Sequence, residues 1–88
     1  MNEMRMVVHA GWQLSVTVIQ RKNATGPATF LILQQAIRHP SAVSTQLPLN
    51  SILSASYATA DGAFEASFRF LRKHVDRLLS LDNGRHAL

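Results

Sequence analysis

Even-numbered positions from Val8 to Val18 read Val, Ala, Trp, Leu, Val, Val, while odd positions from His9 to Thr17 read His, Gly, Gln, Ser, Thr. A period of two over this length predicts a β-strand with one dry and one wet face, and the β-branched and aromatic content agrees. The main strand is expected over about 12–20. Gly11 marks either a bulge or a break that separates a short first segment, 4–10, from it. The run 21–27 (Arg, Lys, Asn, Ala, Thr, Gly, Pro) is a turn region, since Asn, Gly and Pro supply backbone geometry that strands avoid. A second strand follows over 29–37, and the short connection favours a hairpin. Its four consecutive apolar residues from Phe30 suit a strand covered on both faces, with Phe30 and Ile32 pointing one way and Leu31, Leu33 and Ile37 the other. Pro40 ends it. A polar loop spans 41–46, 47–50 is ambiguous, and 51–57 is expected as a third strand with Leu53, Ala55 and Tyr57 on one face.

The last element has a different period. Phe64, Phe68, Leu71, Val75, Leu78 and Leu79 recur at three- and four-residue spacing, the stripe of an amphipathic helix. Thr59 is its expected N-cap. Asp61 and Glu65 place negative charge near the N-terminus, where the helix dipole favours it. Glu65 with Arg69 and Arg72 with Asp76 form i,i+4 pairs, and Asn83-Gly84 is the expected stop. The order strand, strand, strand, helix predicts an α+β fold: an antiparallel three-stranded β-meander packed against one C-terminal amphipathic helix, in two layers. The expected core is Trp12, Leu14, Val16, Val18, Phe30, Ile32, Phe64, Phe68, Leu71, Val75 and Leu78.

With 88 residues the chain is a single domain, 1–88, with an ordered core expected over about 6–80 and tails at 1–5 and 82–88. A domain this small buries only about 60–65% of the surface its unfolded chain exposes, so its core is thin. Hydrophobic residues at 47% and charged residues at 16% exclude a disordered, highly charged chain. Cysteine is absent, which removes disulfides and thiolate metal sites. No apolar run approaches the roughly 18–20 residues of a membrane span. The N-terminus has no signal-peptide block, and the expected location is the cytoplasm.

The net charge of +4 raises the question of nucleic acid. Residues 1–60 carry four cations (Arg5, Arg21, Lys22, Arg38) against Glu3 alone, whereas 61–88 carry five against four carboxylates. The most basic segment is thus nearly neutral, while phosphate binding needs clustered cations. Arg69, Arg72, Lys73 and Arg77 do share a helical face, and a weak nucleic-acid-binding module built on them is the alternative functional reading. Glu65 and Asp76 in the same face partly cancel it. Histidines 9, 39, 74 and 86 fall on four different elements with no i,i+4 pair, so no metal site is expected. No Gly-x-Ser-x-Gly elbow or glycine-rich phosphate loop is present. No catalytic residue and no cofactor are assigned, and a non-enzymatic protein is expected.

Gly11-Trp12-x-Leu14-x-Val16-x-Val18, followed by Thr59-Ala60-Asp61-x-Ala63-Phe64-Glu65-Ala66-x-x-Arg69-Phe70, resembles small bacterial domains of strand–strand–strand–helix plan. The resemblance covers most of the chain. It implies a fold rather than an activity and brings no catalytic residues with it.

Self-association is the leading functional expectation. One helix covers only part of a three-stranded sheet, the second strand looks two-sided, and the helix has a second apolar shoulder in Ala63, Phe70 and Leu81. A symmetric homodimer is the commonest cover for such groups. The expected interface residues are Leu31, Leu33, Phe70 and Leu81, in a small protein-interaction module.

Overall fold

The computed structural model describes residues 2–39, 45–49 and 55–86, with Thr45 and residues 81–86 as backbone only. Three long strands, β1 (Asn2–His9), β2 (Trp12–Arg21) and β3 (Thr29–Arg38), form an antiparallel meander, and a two-residue β4 (Thr45–Gln46) extends it beyond β3. One helix, α1 (Ala60–His86), packs on a single face. The arrangement is the expected two-layer α+β fold, but its strands are not the three expected. The segment before Gly11 is a full eight-residue strand that starts at Asn2, where a tail is expected. Of the expected strand 51–57, residues 51–54 lie outside the described residues. Tyr57 forms an isolated antiparallel bridge to Phe30, with reciprocal backbone hydrogen bonds of 2.8 Å.

β1 and β2 are joined by Ala10-Gly11, whose φ values of 52° and 84° are the two positive φ angles of a type I′ hairpin turn. Gly11 therefore serves a turn rather than a bulge. The bulge lies in β3. Thr17 pairs with Gln34 and Val18 with Ile32, so Leu33 is the extra residue. Leu33 and Gln34 both face solvent, and the inward parity of β3 shifts from Phe30 and Ile32 to Gln35 and Ile37. This corrects the expectation that Ile37 points with Leu31 and Leu33: it is buried under the helix.

The core lies between the sheet and α1. Leu14, Val16 and Val18 from β2, Ile32 and Ile37 from β3, and Ala63, Phe64, Phe68, Leu71 and Val75 from α1 are buried. Trp12, Phe30 and Leu78, expected in the core, are half-buried against it, and Leu47 and Leu49 fold back onto it. Two polar side chains share this core. Gln35 is 1% and Ser67 0% exposed. The Ser67 hydroxyl donates to Gln35 Oε1 at 2.8 Å, and Gln35 Nε2 donates to the Pro48 carbonyl at 3.1 Å. The Gln35 carbonyl accepts from Leu47 N at 3.0 Å.

Thr59 caps α1 as expected: its hydroxyl accepts from Gly62 N at 3.0 Å. A Cβ at Gly62 would sit 3.1 Å from that same hydroxyl, so the cap is tight. The helix does not stop at Asn83-Gly84 but continues to His86. A glycine inside a helix costs only about 1 kcal/mol relative to alanine, too little to end a helix already propagated.

Two stability predictions follow from these features. Alanine at φ 52° occupies a conformation that disfavours a Cβ by about 1–2 kcal/mol, a strain that asparagine tolerates better. Ala10→Asn is expected to raise the urea midpoint at fixed protein concentration, by about 0.5–1 kcal/mol in unfolding free energy. Ser67→Ala leaves Gln35 Oε1 buried without a donor and should cost about 1–3 kcal/mol. Adding Gln35→Leu should recover part of that loss, and additive losses in a double-mutant cycle would refute the coupling.

Candidate functional site

α1 lies across β2 and β3 and touches β1 only along one flank. β1 is the edge of the sheet, and among the described residues no strand pairs with its outer side. Two different surfaces result, one on each face of β1.

The register of β1 with β2 sorts its side chains. Glu3, Arg5, Val7 and His9 stand opposite Val18, Val16, Leu14 and Trp12, residues of the helix-covered face. Met4, Met6 and Val8 stand opposite Thr17, Ser15 and Gln13 on the open face. The charged residues of this strand and His9 thus turn toward the helix layer together with Val7, while Met4, Met6 and Val8 turn to water with Asn2. The exposures are 60% for Met4, 54% for Met6 and 74% for Val8.

The inward-turned polar residues meet an acidic flank of α1. Arg5 Nη1 lies 2.9 Å from Asp61 Oδ1, and Arg5 Nε donates to Glu3 Oε2 at 2.6 Å. The guanidinium carbon also sits 4.2 Å above the centre of the Phe64 ring, a cation–π contact. Hydrogen bonds to Glu3 first and Asp61 second raise the pKa of Arg5 above its ordinary value. Near the hairpin, His9 Nε2 lies 2.7 Å from Asp76 Oδ1. Asp76, expected to pair with Arg72, therefore reaches a strand residue far away in sequence. Glu65 does pair with Arg69 as expected, at 3.0 Å. Between β1 and this flank runs an open groove of about 550 Å³, lined by Phe64 and Phe68 with Arg5, Asp61, Glu65 and Arg72 around it.

The four expected interface residues divide between the layers. Leu33 is 51% exposed at the bulge, and Leu31 is half-buried, paired with Ile19 on the open face. Phe70 is half-buried on the helix, packed against the core and stacked on His74 with ring centres 6.4 Å apart. The side chain of Leu81 lies outside the described residues, and its shoulder partner Ala63 is fully buried. The structure therefore brings Leu31 and Leu33 to one face and leaves Phe70 in the other layer. Met4, Met6 and Val8, the most exposed of the large apolar residues together with Leu33, were absent from the expected set. Their signal was present in the alternation of 3–6, but in the reverse of the usual sense.

The cations Arg69, Arg72, Lys73 and Arg77 spread over roughly 140° of helix circumference at 100° per residue. Arg69 is tied to Glu65, and Arg72 lies in the groove with Asp61 and Glu65. Arg21 and Arg38 sit at opposite ends of the β2–β3 ladder, beside Thr29 and Gln13. Among the described residues no group of three or more His, Asp or Glu side chains is placed to hold a metal ion, and no helix is long and apolar enough to cross a membrane. Compared with known proteins, the chain matches no family model, no curated protein and no solved structure.

The contacts of Arg5 anchor β1 to a helix that otherwise barely touches it. Arg5→Ala is therefore expected to speed hydrogen exchange of the backbone amides at positions 3, 5 and 7, while amides in the β2–β3 ladder keep their protection. Unchanged protection in β1 would show that the hairpin alone holds the strand.

Proposed function

We propose that this protein is a small non-enzymatic interaction module that self-associates. The observation that carries this reading is the open edge of β1. Natural sheets protect their edges with short strands, charged side chains, proline, bulges, inward-pointing charges or a covering element. Of these β1 carries only the inward-turned charges Glu3 and Arg5, bound to each other and, through Arg5, to Asp61; it has eight residues, contains neither lysine nor proline, and pairs with β2 in unbroken register. Its open face carries Met4, Met6 and Val8, with Asn2 at the end of the strand. Methionine adds an adaptable, polarizable surface of the kind used for binding. The opposite edge of the sheet is finished differently, by β4 and the Tyr57 bridge.

A nucleic-acid reading draws less support. Its four cations spread over roughly 140° of the helix, and acidic residues stand beside two of them.

Light scattering across a concentration series from about 1 to 100 µM, the range where modest interfaces populate, tests the proposal. A mass that rises from one chain toward two is expected. A single-chain mass throughout would overturn it.

A further inference from the structure

We infer that the partner at the β1 edge is β1 of a second copy, paired antiparallel about a two-fold axis through Met6. The inference rests on the self-association reading and specifies its geometry.

The direction of the free backbone groups comes from the hairpin. In a two-residue type I′ hairpin the residues flanking the turn, here His9 and Trp12, form a hydrogen-bonded pair, and such pairs alternate along the ladder. Glu3, Arg5, Val7 and His9 thus spend their N–H and C=O groups on β2. Asn2, Met4, Met6 and Val8 point theirs at the open edge. The residues that expose apolar side chains are therefore the same residues that offer backbone donors and acceptors.

A two-fold axis perpendicular to the sheet pairs residue i with a residue of the second copy such that the two numbers have a fixed even sum. It also keeps both helices on the same face. The candidate registers differ in what they oppose. An axis through Arg5 sets Arg5 against its own copy, a like-charge pair that destabilises a sheet. An axis through Val7 sets Arg5 against the second copy's His9, again cation against imidazole. An axis through Met4 sets Glu3 against Arg5 but pairs only five residues of β1, leaving Val7, Val8 and His9 without partners in that strand. An axis through Met6 pairs seven of the eight residues of β1, leaving Asn2 opposite the turn. It pairs Met6 with Met6 and Met4 with Val8 on the open face, and Glu3 with His9 and Arg5 with Val7 on the helix face. The apolar pairs and the carboxylate–imidazole pairs each occur with their two-fold mates, and about six interchain backbone hydrogen bonds form. The product is a continuous sheet through both copies, in which neither β1 remains an edge.

The absence of cysteine from the chain makes the register directly readable. In a hydrogen-bonded antiparallel pair the Cα atoms stand about 5.5 Å apart, within disulfide range. Under mild oxidation Met6→Cys is expected to form a covalent dimer at least about tenfold faster than Leu33→Cys, because pairing raises the effective concentration of the two thiols. Met6→Pro supplies the second arm. The Met6 N–H points outward, so proline removes an edge donor without breaking the β1–β2 ladder. The variant is expected to keep the native circular dichroism spectrum and to scatter as a monomer.

The outcomes separate the two claims. If the unmodified protein is a monomer at every concentration, self-association and this geometry fall together. If it dimerises but Leu33→Cys cross-links as fast as Met6→Cys, or Met6→Pro folds and still dimerises, edge pairing is overturned while self-association stands. Packing of the two open sheet faces would then be the geometry. If Met6→Pro fails to fold, the cysteine rates decide alone.

Discussion

The arrangement of this domain depends on the Gln35 side-chain amide, held between Ser67 of α1 and the carbonyl of Pro48. A primary amide in an apolar core is tolerated only when its donor and acceptor ends are both matched, because an unpaired polar group there costs several times the net gain of a typical hydrogen bond. Gln35 meets that condition in one geometry. Ser67 must stand over β3, and the 47–49 segment must lie alongside. Apolar attraction between α1 and the sheet is non-directional. The hydrogen bond is directional. It ties the helix to the β2–β3 half of the sheet, and the asymmetry of the molecule follows from there.

β1 is left outside that anchorage. It joins the sheet through its ladder to β2 and a two-residue turn, and it joins the helix through charge: Arg5 to Asp61, and His9 against Asp76. These pairs are largely solvent-exposed, and exposed pairs contribute little to stability. Their effect is directional. Three carboxylates of α1, Asp61, Glu65 and Asp76, lie toward one side of the helix, and the side chains of β1 that face it carry the opposite charge at Arg5 and an imidazole at His9. A strand placed one residue out of register would turn Met4, Met6 and Val8 toward those carboxylates and send Arg5 into solvent. Charge thus selects the face of β1, while the core selects the position of α1.

Much of this was legible in the residues, and the illegible parts have identifiable causes. β2 and α1 could be read because each has a single strong period and buries one face. Thr59 was readable as a cap because its hydroxyl acts locally. The face of Ile37 is not legible because a bulge leaves no mark on the alternation: the four apolar residues from Phe30 look the same with or without an extra residue at Leu33. Gln35 and Ser67 were invisible because their role exists only once the helix and sheet meet, 32 positions apart. The Asp76–His9 contact is hidden for the same reason, since helical spacing points Asp76 to the nearer Arg72. β1 was undervalued because a strand is ordinarily read with its apolar side inward.

That inversion is where sequence pattern and proposed function connect. Charged side chains along an edge strand discourage pairing with an incoming strand. In β1 the residues whose backbone groups point to the open edge include Met4, Met6 and Val8, with exposed apolar side chains. A second strand arriving there satisfies the open N–H and C=O groups and removes apolar surface from water in the same step. The polar partners Arg5 and His9 do not obstruct it, because they lean toward α1. A reversal of the usual amphipathic sense at a protected strand would be a defect of packing. At an open edge it leaves a surface receptive to another strand, and the order Glu3, Met4, Met6, Val8, His9 is what makes a second copy the strand we propose for it.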